Sequence, residues 1–161
     1  MKKLLRWVVV LFCTALFAQV PLFVDQYLMR LEGRLAESRL QVEAYTKTAK
    51  DGKKTLDQYI AKFLAQTDSD FSSQGRVMQD AVCRKAFLES ACEALQSSSP
   101  LIRPLVFVRY LDWQTVIDTW SGFTPGLLVE SNLIVWALIG FASGWAVLYG
   151  FSGLWNLLRS R

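Results

Sequence analysis

The sequence predicts an all-α protein in which two transmembrane helices flank a small antiparallel helical bundle outside the membrane. Three observations predict it. Two long uncharged runs lie near the ends of the 161-residue chain, the stretch between them carries apolar residues at helical 3–4 spacing, and no segment shows strand-like alternation. Apolar residues make up 52% of the chain before its nine Gly are counted, against roughly 45–50% with Gly included in soluble proteins. The surplus has to be housed, and a bilayer can house it.

Taken in order, the first uncharged run covers Trp7 to Val24, eighteen residues, and the last covers Ser131 to Leu158, twenty-eight residues. Both reach spanning length. At about 1.5 Å per helical residue, Trp7 to Tyr27 spans about 30 Å and Trp136 to Trp155 about 28 Å, which matches a hydrocarbon core bounded by aromatic belts. A cleaved signal peptide competes for the first run, because KKLLR followed by WVVVLFCTALFA supplies the n- and h-regions. Its cleavage site is poor: Leu16 rather than a small residue precedes Ala18 by two positions, and bulky Phe12 precedes Cys13.

The formal net charge of +4 is concentrated at the ends. Lys2, Lys3, Arg6, Arg159 and Arg161 are basic with no acid among them, and the middle holds thirteen basic against fourteen acidic side chains. Basic flanks favour the cytoplasmic side, so both termini are expected there and residues about 31–126 across the membrane, which in a bacterium means the periplasm. The chain is expected to divide into 1–31, a first span continuing outward; 32–126, the bundle; and 127–161, the second span with a short tail.

Leu28, Leu31, Leu35, Ser38, Val42, Tyr45 and Ala49 keep 3–4 spacing, so the first helix is expected to continue to about Lys50 and to end at Asp51-Gly52. Thr55 to Gln66 reads as a second amphipathic segment. Thr67-Asp68-Ser69-Asp70 offers N-caps to a third helix, about Phe71 to Gln96, with Met78, Ala81, Val82, Leu88, Cys92 and Leu95 along one stripe. Ser97-Ser98-Ser99-Pro100 reads as a break with an N-cap and a proline at the first helical position. Pro104 is expected to kink or restart the apolar run Leu101 to Leu111, which lies against the bundle or on the membrane surface. Asp112 to Trp120 reads as a last short helix before Thr124-Pro125-Gly126 turns the chain into the second span.

Chemistry is sparse. With no His, imidazole bases, histidine ligands and Ser-His-Asp triads are excluded. No catalytic residue, metal or cofactor is expected. Asp68/Asp70 and Asp112/Asp118 read as caps and solvated groups rather than a glycosidase pair. Nine helical residues between Cys83 and Cys92 put them about 13–14 Å apart, beyond a disulfide's reach; Cys92 reads as a small core residue and Cys83 as a partly exposed thiol. No basic stripe interleaved with aromatics suggests nucleic acid.

Two groups stand out. Gly140 and Gly144 form GxxxG, and Ala142, Ala146 and Gly150 form a neighbouring small-residue row, so close helix packing is expected at Gly140, Gly144, Ala146 and Gly150. The expected partner is the first span through Cys13, Thr14, Ala15 and Ala18, with homodimerisation as the alternative. At the outer membrane boundary, Gln26, Tyr27, Arg30 and Arg34 leave the first span while Trp120, Phe123, Thr124, Pro125 and Glu130 approach the second. These read as interfacial anchors with an Arg30 or Arg34 to Glu130 ion pair, or as a site for a lipid headgroup or a partner's membrane-proximal segment.

The same residues carry a resemblance. Pro21-x-Phe23-x-x-Gln26-Tyr27-x-x-Arg30-Leu31-x-Gly33-Arg34-Leu35, with Thr119-Trp120-x-x-Phe123-Thr124-Pro125 before a Gly-rich span, resembles a proteobacterial inner-membrane family classed only as a domain of unknown function. The resemblance implies the inner membrane and the two-span plan, and supplies no catalytic residue, cofactor or substrate. The functional expectation is a non-enzymatic membrane protein whose bundle binds or scaffolds another envelope protein or a second copy, in contact with membrane lipid. The alternative is a small sensor or ligand-binding module signalling through a separate protein.

Overall fold

The computed structural model describes residues 2–126 and 131–159, with side chains described for Leu4 and for residues 6–126 and 134–149. Among the described residues every regular element is a helix: α1 (Lys2–Ala18), α2 (Val20–Asp51), α3 (Leu56–Leu64), α4 (Ser69–Ser97), α5 (Arg103–Arg109), α6 (Trp113–Ser121) and α7 (Ser131–Arg159). The expected single helix from the first span outward is interrupted at one residue, Gln19. Pro21 has no N–H to offer the Phe17 carbonyl, and Gln19 N–H turns back to the Leu16 carbonyl at 3.1 Å. Beyond this interruption α2 runs to Asp51. Arg6–Asp51 is long and apolar enough to cross a membrane, and only 11% of its most apolar stretch is buried. The second apolar segment with described side chains, Ile134–Tyr149, is shorter than a span requires.

The chain forms two compact units, Leu28–Ser97 and the discontinuous pair Met1–Tyr27 with Ser98–Arg161. Residues 98–126, expected within the bundle, therefore group with α1 and α7, because the side chains they pack on come from the start of α2.

In the unit Leu28–Ser97, α2 buries Leu31, Leu35, Ser38, Val42 and Ala49, five positions of the 3–4 stripe. From α4 the core takes Met78, Ala81, Leu88, Ala91, Cys92 and Leu95; Val82, expected in that stripe, is only half-buried. Gln96 Nε2 donates to Glu32 Oε1 at 2.7 Å and Arg39 Nε to Glu89 Oε1 at 3.0 Å. The falling numbers on one helix against rising numbers on the other make α2 and α4 antiparallel. Lys53, at φ 55°, closes α2 in the left-handed conformation that more often holds Gly, and Lys54 N–H reaches back to the Ala49 carbonyl at 2.9 Å. Thr55 and Gln58 then form a reciprocal capping box that starts α3. α3 presses on α4 at Gly75, where an added Cβ would lie 3.0 Å from the Leu64 backbone nitrogen.

In the other unit, α7 packs antiparallel on α1 through its glycines. A Cβ on Gly140 would come within 2.7 Å of Phe17 Cβ and 2.9 Å of both the Cys13 carbonyl oxygen and Thr14 Cα; one on Gly144 would meet Val10 Cα at 3.0 Å. Only hydrogen fits between these backbones. Trp7 and Trp145 meet edge to face, 6.2 Å between ring centroids. Two expectations are corrected. Ala146 faces outward, as does Ala142, because each lies two residues, about 200°, from a glycine on the packed face; on α1 Ala15 is exposed and Val10 and Phe17 make the contact instead. The surroundings of Gly150 lie outside the described residues.

The helix expected to start at Ser99-Pro100 starts later. The Ser99 carbonyl accepts from the Ile102 and Arg103 N–H groups, both at 2.9 Å, closing a turn, and Pro104 rather than Pro100 occupies the first turn of α5. This is the restart expected of Pro104. α6 begins where expected, with Asp112 as N-cap accepting from Thr115 N–H.

Candidate binding site

The start of α2 carries a row of side chains that gather the later segments of its own unit. Gln19 and Gln26 are seven residues apart, two turns on one face, and each uses both its amide nitrogen and its amide oxygen on backbone. Gln19 Nε2 donates to the Gly126 carbonyl and its Oε1 accepts from Gly126 N–H, both at 3.2 Å. Gln26 Nε2 donates to the Thr124 carbonyl at 3.0 Å and its Oε1 accepts from Thr124 N–H at 3.4 Å. The two amides thus pin the irregular stretch 124–126 by its backbone N–H and C=O groups.

Tyr27 does the same for the α5–α6 junction. It is fully buried; its hydroxyl donates to the Tyr110 carbonyl at 2.9 Å and accepts from Asp112 N–H at 3.0 Å, and its ring stands edge-on to Phe107, 4.8 Å away. Arg103 Nη1 donates to Asp25 Oδ1 at 2.8 Å, a partly buried ion pair. Phe23 lies between Phe107, Trp120 and Phe123, with ring centroids at 6.1, 6.3 and 5.6 Å.

These contacts leave an apolar groove of about 530 Å³, lined by Leu16, Gln19, Val20, Phe23 and Val24, by Pro104, Phe107 and Val108 of α5, and by Trp120, Phe123 and Pro125. Its size is that of a small-molecule site. Polar side-chain atoms in the lining belong to Gln19, already engaged, and to the indole of Trp120, which is 74% exposed.

Of the residues expected at the outer boundary, Gln26, Tyr27, Trp120, Phe123, Thr124 and Pro125 lie together in this unit. Arg30 and Arg34 belong to the other compact unit, one turn and two turns further along α2. Glu130, their expected ion-pair partner, lies outside the described residues. Among the described residues an ion pair beside the groove is Asp25–Arg103. Sequence reasoning missed Gln19, Phe23, Phe107 and Arg103 as parts of the site. The spacing of Gln19 and Gln26 was a usable signal, two amides two helical turns apart at the end of an apolar run; nothing in the sequence pointed to Phe107 or Arg103.

No metal-binding cluster of His, Cys, Asp or Glu occurs among the described residues. All three thiols are free: Cys83 exposed, Cys92 buried, Cys13 between. Burial pushes the Cys92 thiol up, Glu32 pushes it further the same way, and Arg39 opposes them.

The family described as Protein of unknown function (DUF2937) matches residues 1–161, the whole chain. The chain belongs to DUF2937. No curated protein and no solved structure matches it. In this DUF2937 protein the groove and its two glutamine clamps form the candidate binding site.

Proposed function

We propose that the protein is a non-enzymatic, two-span membrane protein whose helices between the spans bind or scaffold another envelope component. The surface of α1 and α7 supports this reading. Leu4, Leu11 and Phe12 of α1 are 71%, 63% and 63% exposed, and Ile134, Leu138 and Tyr149 of α7 are 66%, 62% and 69% exposed, while the glycines take the inside. A large apolar side chain left in water forgoes about 1.5–3 kcal/mol of burial, so half a dozen on one helix leave unrealised an amount comparable to a whole stability of about 5–15 kcal/mol. Hydrocarbon around the hairpin removes that cost. The basic residues near both chain ends support a cytoplasmic side for those ends in this reading, with α3 to α6 on the opposite side.

Photo-crosslinkers at Trp120, Arg34 and Lys85 in cells test the partner role. One envelope protein captured from several positions is the expected result; capture of the protein alone replaces the scaffold by self-association, and capture of lipid alone removes it. A Lys53→Cys variant is expected to react with a membrane-impermeant maleimide added from the periplasmic side. Reaction only after the inner membrane is opened would invert the topology. The second reading, a ligand-binding or sensory module, draws on the groove: it moves ahead if the purified chain binds a small molecule and no protein is captured.

A further inference from the structure

We propose that the groove beside Phe23 holds one acyl chain of a membrane phospholipid. The inference rests on the membrane reading of α1 and adds the identity of what the groove takes.

The chemistry of the walls favours an apolar ligand over a polar one. Among the described residues most polar groups at the groove's edge are engaged with protein: the Gln19 amide with Gly126, the Gln26 amide with Thr124, the Tyr27 hydroxyl with Tyr110 and Asp112, and Asp25 with Arg103, while the Trp120 indole stands exposed on the rim. A ligand that needed hydrogen bonds would lose those it had in water and gain few in exchange. A hydrocarbon chain loses none, and gains contact with the rings of Phe23, Phe107 and Phe123.

The position of the groove selects the source of the chain. Leu16 lines the groove and is itself 53% exposed, on the helix long and apolar enough to cross a membrane. The groove therefore continues the outward apolar surface of α1 without a polar barrier between them. Its other lip continues onto exposed apolar residues of α5 and α6: Leu105 at 70%, Val108 at 61% and Ile117 at 57%. Such a surface belongs against lipid, as in helices that lie in the membrane interface. Trp120, at 74% exposure on the rim, is the residue type that marks headgroup depth. A protein helix is a poorer occupant, since a stable protein contact needs about 1,200–2,000 Å² of buried surface and this groove is a local cleft between side chains.

The test uses the full chain in vesicles of phosphatidylethanolamine and phosphatidylglycerol doped with a phospholipid bearing a diazirine midway along one acyl chain. After irradiation the adducts are mapped by mass spectrometry, and the lipid that remains on the detergent-purified protein is counted by native mass spectrometry. Adducts are expected at Leu11 and Phe12, facing bulk lipid, and at Val20 and Phe107, inside the groove, with one lipid retained per chain. Val20→Trp, which fills the groove, is expected to reduce the Phe107 adduct at least tenfold, abolish retention and leave the Leu11 and Phe12 adducts unchanged. If Val20→Trp loses helix content by circular dichroism, Val108→Asn on the exposed lip decides, with an expected fall in retention of at least threefold.

Adducts at Leu11 and Phe12 with none in the groove and no retained lipid would overturn the acyl-chain site and leave the membrane reading standing. Absence of adducts from α1 altogether would overturn both. Retention unchanged in a folded Val20→Trp and in Val108→Asn would place the bound lipid elsewhere and overturn the proposal.

Discussion

Two antiparallel helix pairs in this chain reach close packing with opposite outer surfaces. In the pair α2–α4, apolar residues such as Leu31, Leu88 and Leu95 are buried, and the helices are tied at their margins by Arg39–Glu89 and Glu32–Gln96. In the pair α1–α7 the seam is built around Gly140 and Gly144 against Val10, Cys13 and Phe17, and many large apolar residues face out. Water drives the first arrangement, since burying apolar area is what pays for order there. On the proposed membrane reading the second pair lies in hydrocarbon, where that drive is absent between helices and close backbone approach with dispersion contact takes its place. The comparison teaches that the outer face, more than the seam, tells which solvent a helix pair is built for.

Leu11 and Leu40 offer the sharpest way to break this comparison, because they are similarly exposed, 63% and 68%. Leu11→Lys is expected to cost about 3 kcal/mol of membrane insertion, and Leu40→Lys to change stability by less than about 0.5 kcal/mol. Quantitative insertion assays and denaturant titration of the two variants read the difference. Equal, small effects would put α1 in water and end the contrast.

A smaller expected effect tests the glycine seam. Gly140→Ala forces a methyl group against the Cys13 carbonyl and Thr14 Cα, both at 2.9 Å, and is expected to lower stability in detergent by about 2 kcal/mol, read as a drop in Tm. Tyr27→Phe comes next: it leaves the Tyr110 carbonyl and the Asp112 N–H without the hydroxyl that serves both, for about 1.5 kcal/mol. That loss should appear as faster hydrogen exchange across α5 and α6.

Within the unit Leu28–Ser97, the two thiols sharpen the distinction between buried and exposed. Because the Cys92 thiol is pushed upward by burial and by Glu32, less of it is thiolate at any given pH. Its alkylation at pH 8 is expected to be at least tenfold slower than that of exposed Cys83, the rate climbing as pH rises past the ordinary thiol range. Equal rates would show that α4 opens freely. The smallest effect is a gain: Ser38 Oγ is buried with no hydrogen-bond partner among the described residues, so Ser38→Ala is expected to add about 1 kcal/mol in thermal unfolding.

Much of the helical framework was legible. The 3–4 stripe on α2 and most of that on α4 were readable because helical period is a local property of the chain. The cap at Asp112 and the end of α2 near Asp51 were readable for the same reason. Where local signals competed, they misled. Ser99-Pro100 has the features of a helix start, but the turn it makes delays α5 until Pro104 can occupy the first turn. Ala142 and Ala146 share the small size of Gly140 and Gly144, yet lie on the other side of α7.

What the sequence by itself determined was that most of the chain is helical, which faces of those helices are apolar, and to which family the chain belongs. Those properties are written in residue type and spacing over a few turns. The tertiary structure alone decided which apolar faces turn inward, and it alone assembled the groove. Gln19 meets Gly126 across 107 residues and Tyr27 meets Tyr110 across 83. An apolar stripe states that a face avoids water; the contacts made across such distances decide whether protein or lipid covers it.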